Sequence, residues 1–361
     1  MQAPQARIPR WPIAVPFIAW LVLFAAPMLP PGVATWLPLA VTLGFTVFSA
    51  VHHAEVIAHR IGEPFGTLVL AIAVTVIEVA LIVSAMIAGG PEKAGLARDT
   101  VFAAIMIVCN GIVGLCLFVG GLHHREQGFE LRGAAVAMSV LAALSVLTLV
   151  LPNYSNAVPG PMLSPGQLAF AGVVSLVLYG AFVFVQTVRH RDYFLLRGVS
   201  DESVHAAPPS SGMAWLSVGL LLVCLGAVVG LAKALSPTIE NMVKTVGAQP
   251  ALVGIIIASL VLLPEATAAL RAARADRLQT ALNLALGSAL ASIGLTIPVV
   301  AALFIWTGDP LLLGLSPKDS LLLFLSLIVS TLTLATGRTT ILQGLVHLVV
   351  FAAFLVFALS P

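Results

Sequence analysis

The chain is poor in charge. Only 9% of its 361 residues are Asp, Glu, Lys or Arg, where a soluble domain has about 25%, so a water-facing globular surface is excluded. It has no Lys/Arg run that would track a nucleic acid and no acidic tail, and its net charge is +2. It lacks the short alternating segments of a β-barrel. No H-E-x-x-H occurs, so a zinc intramembrane protease finds no support. The three cysteines, Cys109, Cys116 and Cys224, all sit inside apolar runs. Cys109 and Cys116 are too far apart along one helical face for a disulfide, and all three are expected to pack as small hydrophobes.

What the chain has is apolar length. Hydrophobic residues make up 60% and the mean hydropathy is +1.08. Apolar runs long enough to span a bilayer recur near 11–29, 33–51, 64–89, 100–121, 133–151, 167–188, 213–233, 250–270, 281–305, 319–336 and 340–360. The expected fold class is therefore an all-α integral membrane protein with about eleven transmembrane helices. The first run follows Arg7 and Arg10 as a signal peptide would, but it is long and meets a second run at once. It reads as a retained span with a cytoplasmic N-terminus.

That orientation puts Arg7, Arg10, Arg60, Arg125, Arg132, Arg189, Arg191, Arg197, Arg271, Arg274, Arg277 and Arg338 in the cytoplasm. Only Lys93, Arg98, Lys233, Lys244 and Lys318 fall on the other side. The asymmetry obeys the positive-inside rule, and adding or removing one span would scramble it. The polar stretch 189–212 reads as a cytoplasmic linker. The expected domains are an extra N-terminal helix (1–32), a five-helix repeat (33–188), the linker, and a second five-helix repeat (213–361). An odd number of spans per repeat inverts the second relative to the first, as in transporters whose ion site forms where repeats meet.

Two glutamates stand alone in apolar runs: Glu78 in LVLAIAVTVIEVALIVSAMIA and Glu265 in ALVGIIIASLVLLPEATAAL. Each costs about 2.5–3.5 kcal/mol at a helix centre on insertion scales, which points to a cation or proton site. Pro264 removes one backbone hydrogen bond beside Glu265 and frees a carbonyl, a good cation ligand; Pro64 opens the Glu78 run. Small residues flank both glutamates: Thr67, Ala71 and Thr75 on one run, Ala258, Ala268, Ala269 and Ala272 on the other. In the following runs Asn110 lies on a face with Gly114 and Gly121, and Asn283 on a face with Gly287, Ala291 and Gly294. Their amides suit either a hard cation or a neighbouring helix.

The segments GEPFGTLVLAIAVTVIEVALIVSAMIAGG and LLPEATAALRAARADRLQTALNLALGSALASIGLTIPVV resemble the two alpha repeats of the calcium/proton exchangers in the cation/calcium antiporter superfamily. The likeness runs over nearly the whole chain and is strongest to bacterial calcium (sodium, potassium)/proton antiporters. It implies an inner-membrane antiporter that exchanges Ca²⁺ for H⁺, with no cofactor and with inorganic cations, protons and membrane lipid as its partners. It also implies that Glu78 and Glu265 bind the cation and trade it for protons. The family's usual G-N-A-x-E is Val74-Thr75-Val76-Ile77-Glu78 here, and Val261-Leu262-Leu263-Pro264-Glu265 in the second repeat. With those amides gone, Thr75, Ser288 and Ser292 are the candidate supporting oxygens beside Asn110, Asn283 and Pro264, and a Na⁺(K⁺)/H⁺ antiporter is the alternative. An intramembrane enzyme using two carboxylates as acid and base is a remoter reading, for which the spans supply few further polar groups. His52, Glu55, His59 and Glu63 form an expected interfacial patch, and Gln343 and His347 share one face of the last run.

Overall fold

The computed structural model describes residues 9–28, 32–62, 65–194 and 209–360. Its helices are α1 (Arg10–Ala25), α2 (Val33–Ile61), α3 (Phe65–Gly89), α4 (Leu96–Met106), α5 (Val113–His124), α6 (Leu131–Ser145), α7 (Pro165–Phe184), α8 (Ser211–Val246), α9 (Ala251–Val261), α10 (Leu263–Arg274), α11 (Leu278–Thr307), α12 (Pro317–Leu334) and α13 (Ile341–Leu359). A π-helical segment, Ile107–Ile112, joins α4 to α5, and others extend α6 (Val146–Val150) and α7 (Val185–Arg189). Ten of the resulting helices are long and apolar enough to cross a membrane, and α9 with α10 makes an eleventh span if the bent pair counts as one. Glu63, Pro64 and most of the expected linker lie outside the described residues.

The chain divides into two compact units, Met1–Ala88 with Gly198–Met242, and Gly89–Arg197 with Val243–Pro361.

In the first unit a proline decides how α1 docks. Pro16 has no N–H to give the Pro12 carbonyl one turn back. That carbonyl instead accepts from Ser49 Oγ (2.8 Å) and His53 Nε2 (3.1 Å) of α2. With Nε2 donating, Nδ1 of His53 is left to accept from Ser217 Oγ of α8, 3.3 Å away. Trp20 Nε1 donates to the Val223 carbonyl at 3.2 Å, so α1, α2 and α8 are tied at two levels. His53, fully buried, was not singled out by the sequence.

In the second unit the loops sort into two ends. Two short strands, β1 (Glu126–Gly128) and β2 (Arg338–Thr340), pair antiparallel with Gln127 opposite Thr339. Gln127 Nε2 donates to the Ala273 carbonyl (2.9 Å), and the Glu130 N–H donates to Gln279 Oε1 (2.6 Å). At the other end, Leu312 N–H reaches the Ala94 carbonyl, Gly314 N–H the Pro161 carbonyl, and Leu315 N–H the Leu149 carbonyl. Lys318 Nζ there bonds Gln249 Oε1 and the Phe357 carbonyl. Loops bonded to each other share a side of the bilayer. Arg125, Arg132, Arg271, Arg274, Arg277 and Arg338 therefore lie on one side, with Lys93, Arg98 and Lys318 on the other, which is the division the charge pattern predicts.

Two spans differ from expectation. The seventh run does not end at 233: α8 continues through Pro237 to Val246. Ser236 Oγ donates to Glu240 Oε1 (2.8 Å) within that extension, and the 236–246 stretch is helix. The run at 250–270 is not one helix but two, bent by 55° at Leu262.

Helices α5 and α13 approach closely through glycines. A Cβ on Gly344 would stand 2.8 Å from the Phe118 Cα and 2.9 Å from the Gly114 carbonyl oxygen, whereas nothing lies within 4 Å of one on Gly180. Gly344→Ala should therefore destabilise the protein by about 1–3 kcal/mol, while Gly180→Ala stabilises it by about 0.5–1 kcal/mol. Thermal unfolding in detergent reads both; equal shifts would contradict the close approach.

Candidate cation/proton site

Glu265 is placed by the break in its span. Leu262 ends α9 and precedes α10, Pro264 takes an early position in α10 where its missing N–H is tolerated, and Glu265 falls in the first turn. Each half-helix is about 17 Å long, so the break lies near mid-span. A carboxylate there faces the positive end of the α10 dipole. Pro264 cannot donate to the Leu260 carbonyl, and Thr267 Oγ1 donates to the Pro264 carbonyl at 2.8 Å. Oε2 of Glu265 is buried. Anionic oxygen, helix N-terminus and a carbonyl deprived of its helical donor thus converge at one depth. The arrangement can hold a cation or a proton.

Helix α11, packed against α10, carries the remaining second-repeat candidates on two faces. The stripe of Asn283, Gly287, Ala291 and Gly294 is engaged at its two ends, while nothing lies within 4 Å of a Cβ on Gly287. Asn283 Nδ2 donates to the Phe194 carbonyl (2.6 Å), Asn283 Oδ1 accepts from Gln279 Nε2 (2.9 Å), and a Cβ on Gly294 would stand 2.6 Å from Tyr179 Cβ of α7. Ser288 and Ser292 lie on the opposite stripe, with Ser292 buried.

Asn110 sits in the π-helical segment and is fully buried. Its Nδ2 donates to Ser326 Oγ (2.6 Å), and its Oδ1 lies 3.3 Å from His347 Nδ1. An amide oxygen only accepts, so Nδ1 carries the proton and Nε2 accepts from Thr333 Oγ1 at 3.1 Å. The chain Thr333–His347–Asn110–Ser326 ties α12, α13 and the π segment together. Gly114, on the same face as Asn110, meets the Cβ of His347. Gln343, one turn before His347, closes a capping box with Thr340 at the start of α13. Asn110 is thus engaged with neighbouring helices, and Asn283 with the Phe194 carbonyl and its own helix.

In the first unit Glu78 lies midway along the unbroken α3, 4% exposed. Thr75, one turn before it and also buried, donates to the Ala71 carbonyl (2.9 Å) and keeps its oxygen lone pairs for another partner. The Thr67 side chain lies outside what is described. Of the histidine patch, Glu55 and His59 are exposed and His52 half-buried. No group of three or more His, Cys, Asp or Glu that could hold a metal ion occurs among the described residues. The three cysteines are buried free thiols.

Known proteins share this sequence and fold. The profile of the family described as sodium/calcium exchanger protein matches residues 32–188 and 216–360. The putative ionic transporter y4hA of Sinorhizobium fredii is 47% identical over 100% of this chain and 99% of its own length. The sodium-potassium/proton antiporter ChaA of Escherichia coli is 34% identical over 98% and 97%. Among solved structures, native YfkE superposes with a TM-score of 0.73 at 18% identity, covering 96% of this chain and 99% of that one. The H⁺/Ca²⁺ exchanger CAX gives 0.70 at 17% identity, covering 96% and 87%. At those identities the two structures show a common fold.

The Asn110–His347 chain makes a prediction of its own. His347→Leu and Asn110→Leu should each cost about 1–3 kcal/mol, because each strands a buried partner. The double variant should lose less than the two losses added, since the second change removes what the first left unpaired. Strict additivity in detergent unfolding would show that the two side chains do not act as one unit.

Proposed function

The chain belongs to the sodium/calcium exchanger protein family and is a secondary antiporter, not an enzyme, and from that premise we propose that it exchanges Ca²⁺ for H⁺ by alternating access, with Glu78 and Glu265 as the cation- and proton-carrying groups. The observation that carries this reading is Glu265 in the first turn of a half-helix that starts near mid-span. In low dielectric a bare carboxylate is costly, so each must be neutralised before the protein changes its accessible side. One divalent cation or two protons meet the two charges equally. The empty, doubly ionised protein should not cross, and this forbidden step couples the fluxes. The inverted repeats give the alternating motion, and the proposed location is the bacterial inner membrane with the basic loops and the N-terminus in the cytoplasm.

Two observations favour a Na⁺(K⁺)/H⁺ exchanger as the second reading. The Asn110 and Asn283 amides are committed to protein partners, Ser326 and His347 for the first and the Phe194 carbonyl and Gln279 for the second, leaving fewer side-chain oxygens than the six to eight that calcium prefers. The Escherichia coli relative is named for sodium, potassium and protons.

Everted vesicles carrying an acid interior test both readings. Added Ca²⁺ should dissipate the proton gradient, with Na⁺ and K⁺ as the competing cations. Glu78→Gln and Glu265→Gln should each reduce that flux to background while the protein still inserts, because one remaining charge cannot alternate between a divalent cation and two protons. Flux near wild type in either variant would sink the two-carboxylate account. Flux with Na⁺ or K⁺ alone would move the cargo to the second reading.

A further inference from the structure

Buried hydroxyls on these helices have a common habit. Thr46, Thr75, Thr100, Ser145, Thr148 and Ser175 each donate to the carbonyl one turn back, at 2.6–2.9 Å. The back-bond satisfies a hydroxyl without any neighbour. Thr296 does not make it. Its residue is 0% exposed, and its Oγ1 has no hydrogen-bond partner among the described residues. A hydroxyl left so in an apolar interior is costly, and native proteins answer such groups with ordered water or a ligand.

The position of Thr296 says which. Gly294 of α11 meets Tyr179, and Pro298 and Ala301 meet Gly172, so that face belongs to α7. At 100° per residue Thr296 lies about 140–160° round from it, on the stripe of Ser288 and Ser292. That stripe turns away from α7; α10, α6, α4 and α5 also pack on α11. Helices α10 and α11 are joined by a tight turn at the basic end of the unit. Counting rise from that turn puts Ser288 at the depth of Glu265, and Ser292 and Thr296 about 6 Å and 12 Å beyond it. The three hydroxyls form a ladder from the carboxylate towards the far end of the span. Sequence patterning marked the first two and not the third.

We propose that Thr296 is a specificity-determining residue of the transport route: its hydroxyl engages the hydration water of the cation passing between Glu265 and the far end of α11. The inference rests on the antiport reading for its cargo, and on the unsatisfied hydroxyl for its place. A hydroxyl at this depth replaces part of the hydration shell before the carboxylate is reached, so its loss should weaken apparent cation affinity rather than abolish exchange.

Thr296→Val keeps the shape and removes the hydroxyl, and Thr296→Ser keeps the hydroxyl. In everted vesicles Thr296→Val should raise the half-saturating concentration of the transported cation about five-fold, the effect of one lost hydrogen bond, with maximal flux per inserted protein retained. Its melting temperature in detergent should match or exceed that of the wild type, and Thr296→Ser should stay within about two-fold of wild-type affinity. An unchanged half-saturation in Thr296→Val would overturn the proposal and leave the hydroxyl a packing feature. Cation-dependent thermal stabilisation of the purified proteins separates the two readings. A wild type that is stabilised by Ca²⁺, Na⁺ or K⁺ more than Thr296→Val, but carries no proton flux, would retire the antiport reading and keep this site. Equal stabilisation of both, or of neither, would retire the site. If Thr296→Val does not accumulate, Thr296→Ala removes the same hydroxyl. Failure of both, with Thr296→Ser normal, would make the hydroxyl a folding requirement and contradict a role in transport.

Discussion

The constraint on which the rest depends is that a carboxylate cannot stay ionised and alone in an apolar interior. Glu78 is almost wholly buried in an unbroken apolar helix, and one carboxylate oxygen of Glu265 is buried beside a helix break. In the proposed cycle a cation or a proton neutralises each in turn. In the proposed mechanism the same penalty that makes these residues rare in spans makes them useful, because it forbids the empty form from moving. Coupling then needs no separate device.

Backbone satisfaction is the second theme, and prolines show its two outcomes. Pro16 strips the Pro12 carbonyl of its donor, and α2 closes the gap with Ser49 and His53, turning a defect into a helix–helix joint. Pro264 strips the Leu260 carbonyl in the same way, but there the helix bends by 55° and restarts with a carboxylate in its first turn. In a membrane such an opening persists only where protein or an aqueous cargo answers it. One proline builds a joint; the other marks a bend.

Much of the architecture was legible in the sequence because bilayers read length and charge. The number of spans and the grouping of basic loops follow from apolar runs and Arg placement, and the β1–β2 pairing supports that grouping independently. The break at Leu262 was half legible: Pro264 announced a disturbed helix, but nothing local gave the angle. The run to Val246 in α8 was missed because polarity after Lys233 resembles a loop, while Ser236 and Glu240 keep their hydrogen bond within the helix. For Asn110 and Asn283 the sequence left a cation or a neighbouring helix open and could not name the partners, Ser326, His347 and Phe194, which lie far away in the chain. Thr296 looked like any helical threonine. Its hydroxyl makes no back-bond and, like those of Ser320 and Ser330, has no hydrogen-bond partner among the described residues, which depends on tertiary packing.

The most direct test of the central claim is proton release on cation binding. Purified protein in weakly buffered detergent would receive Ca²⁺, Na⁺ or K⁺ while the bulk pH is followed, at several starting pH values. If cation and protons share the two carboxylates, the transported cation must displace protons. Its apparent affinity must then weaken as pH falls, because protonation lowers the ionised population it needs. Cation binding with no proton release at any pH, and with an affinity flat from acid to alkaline conditions, would contradict the account.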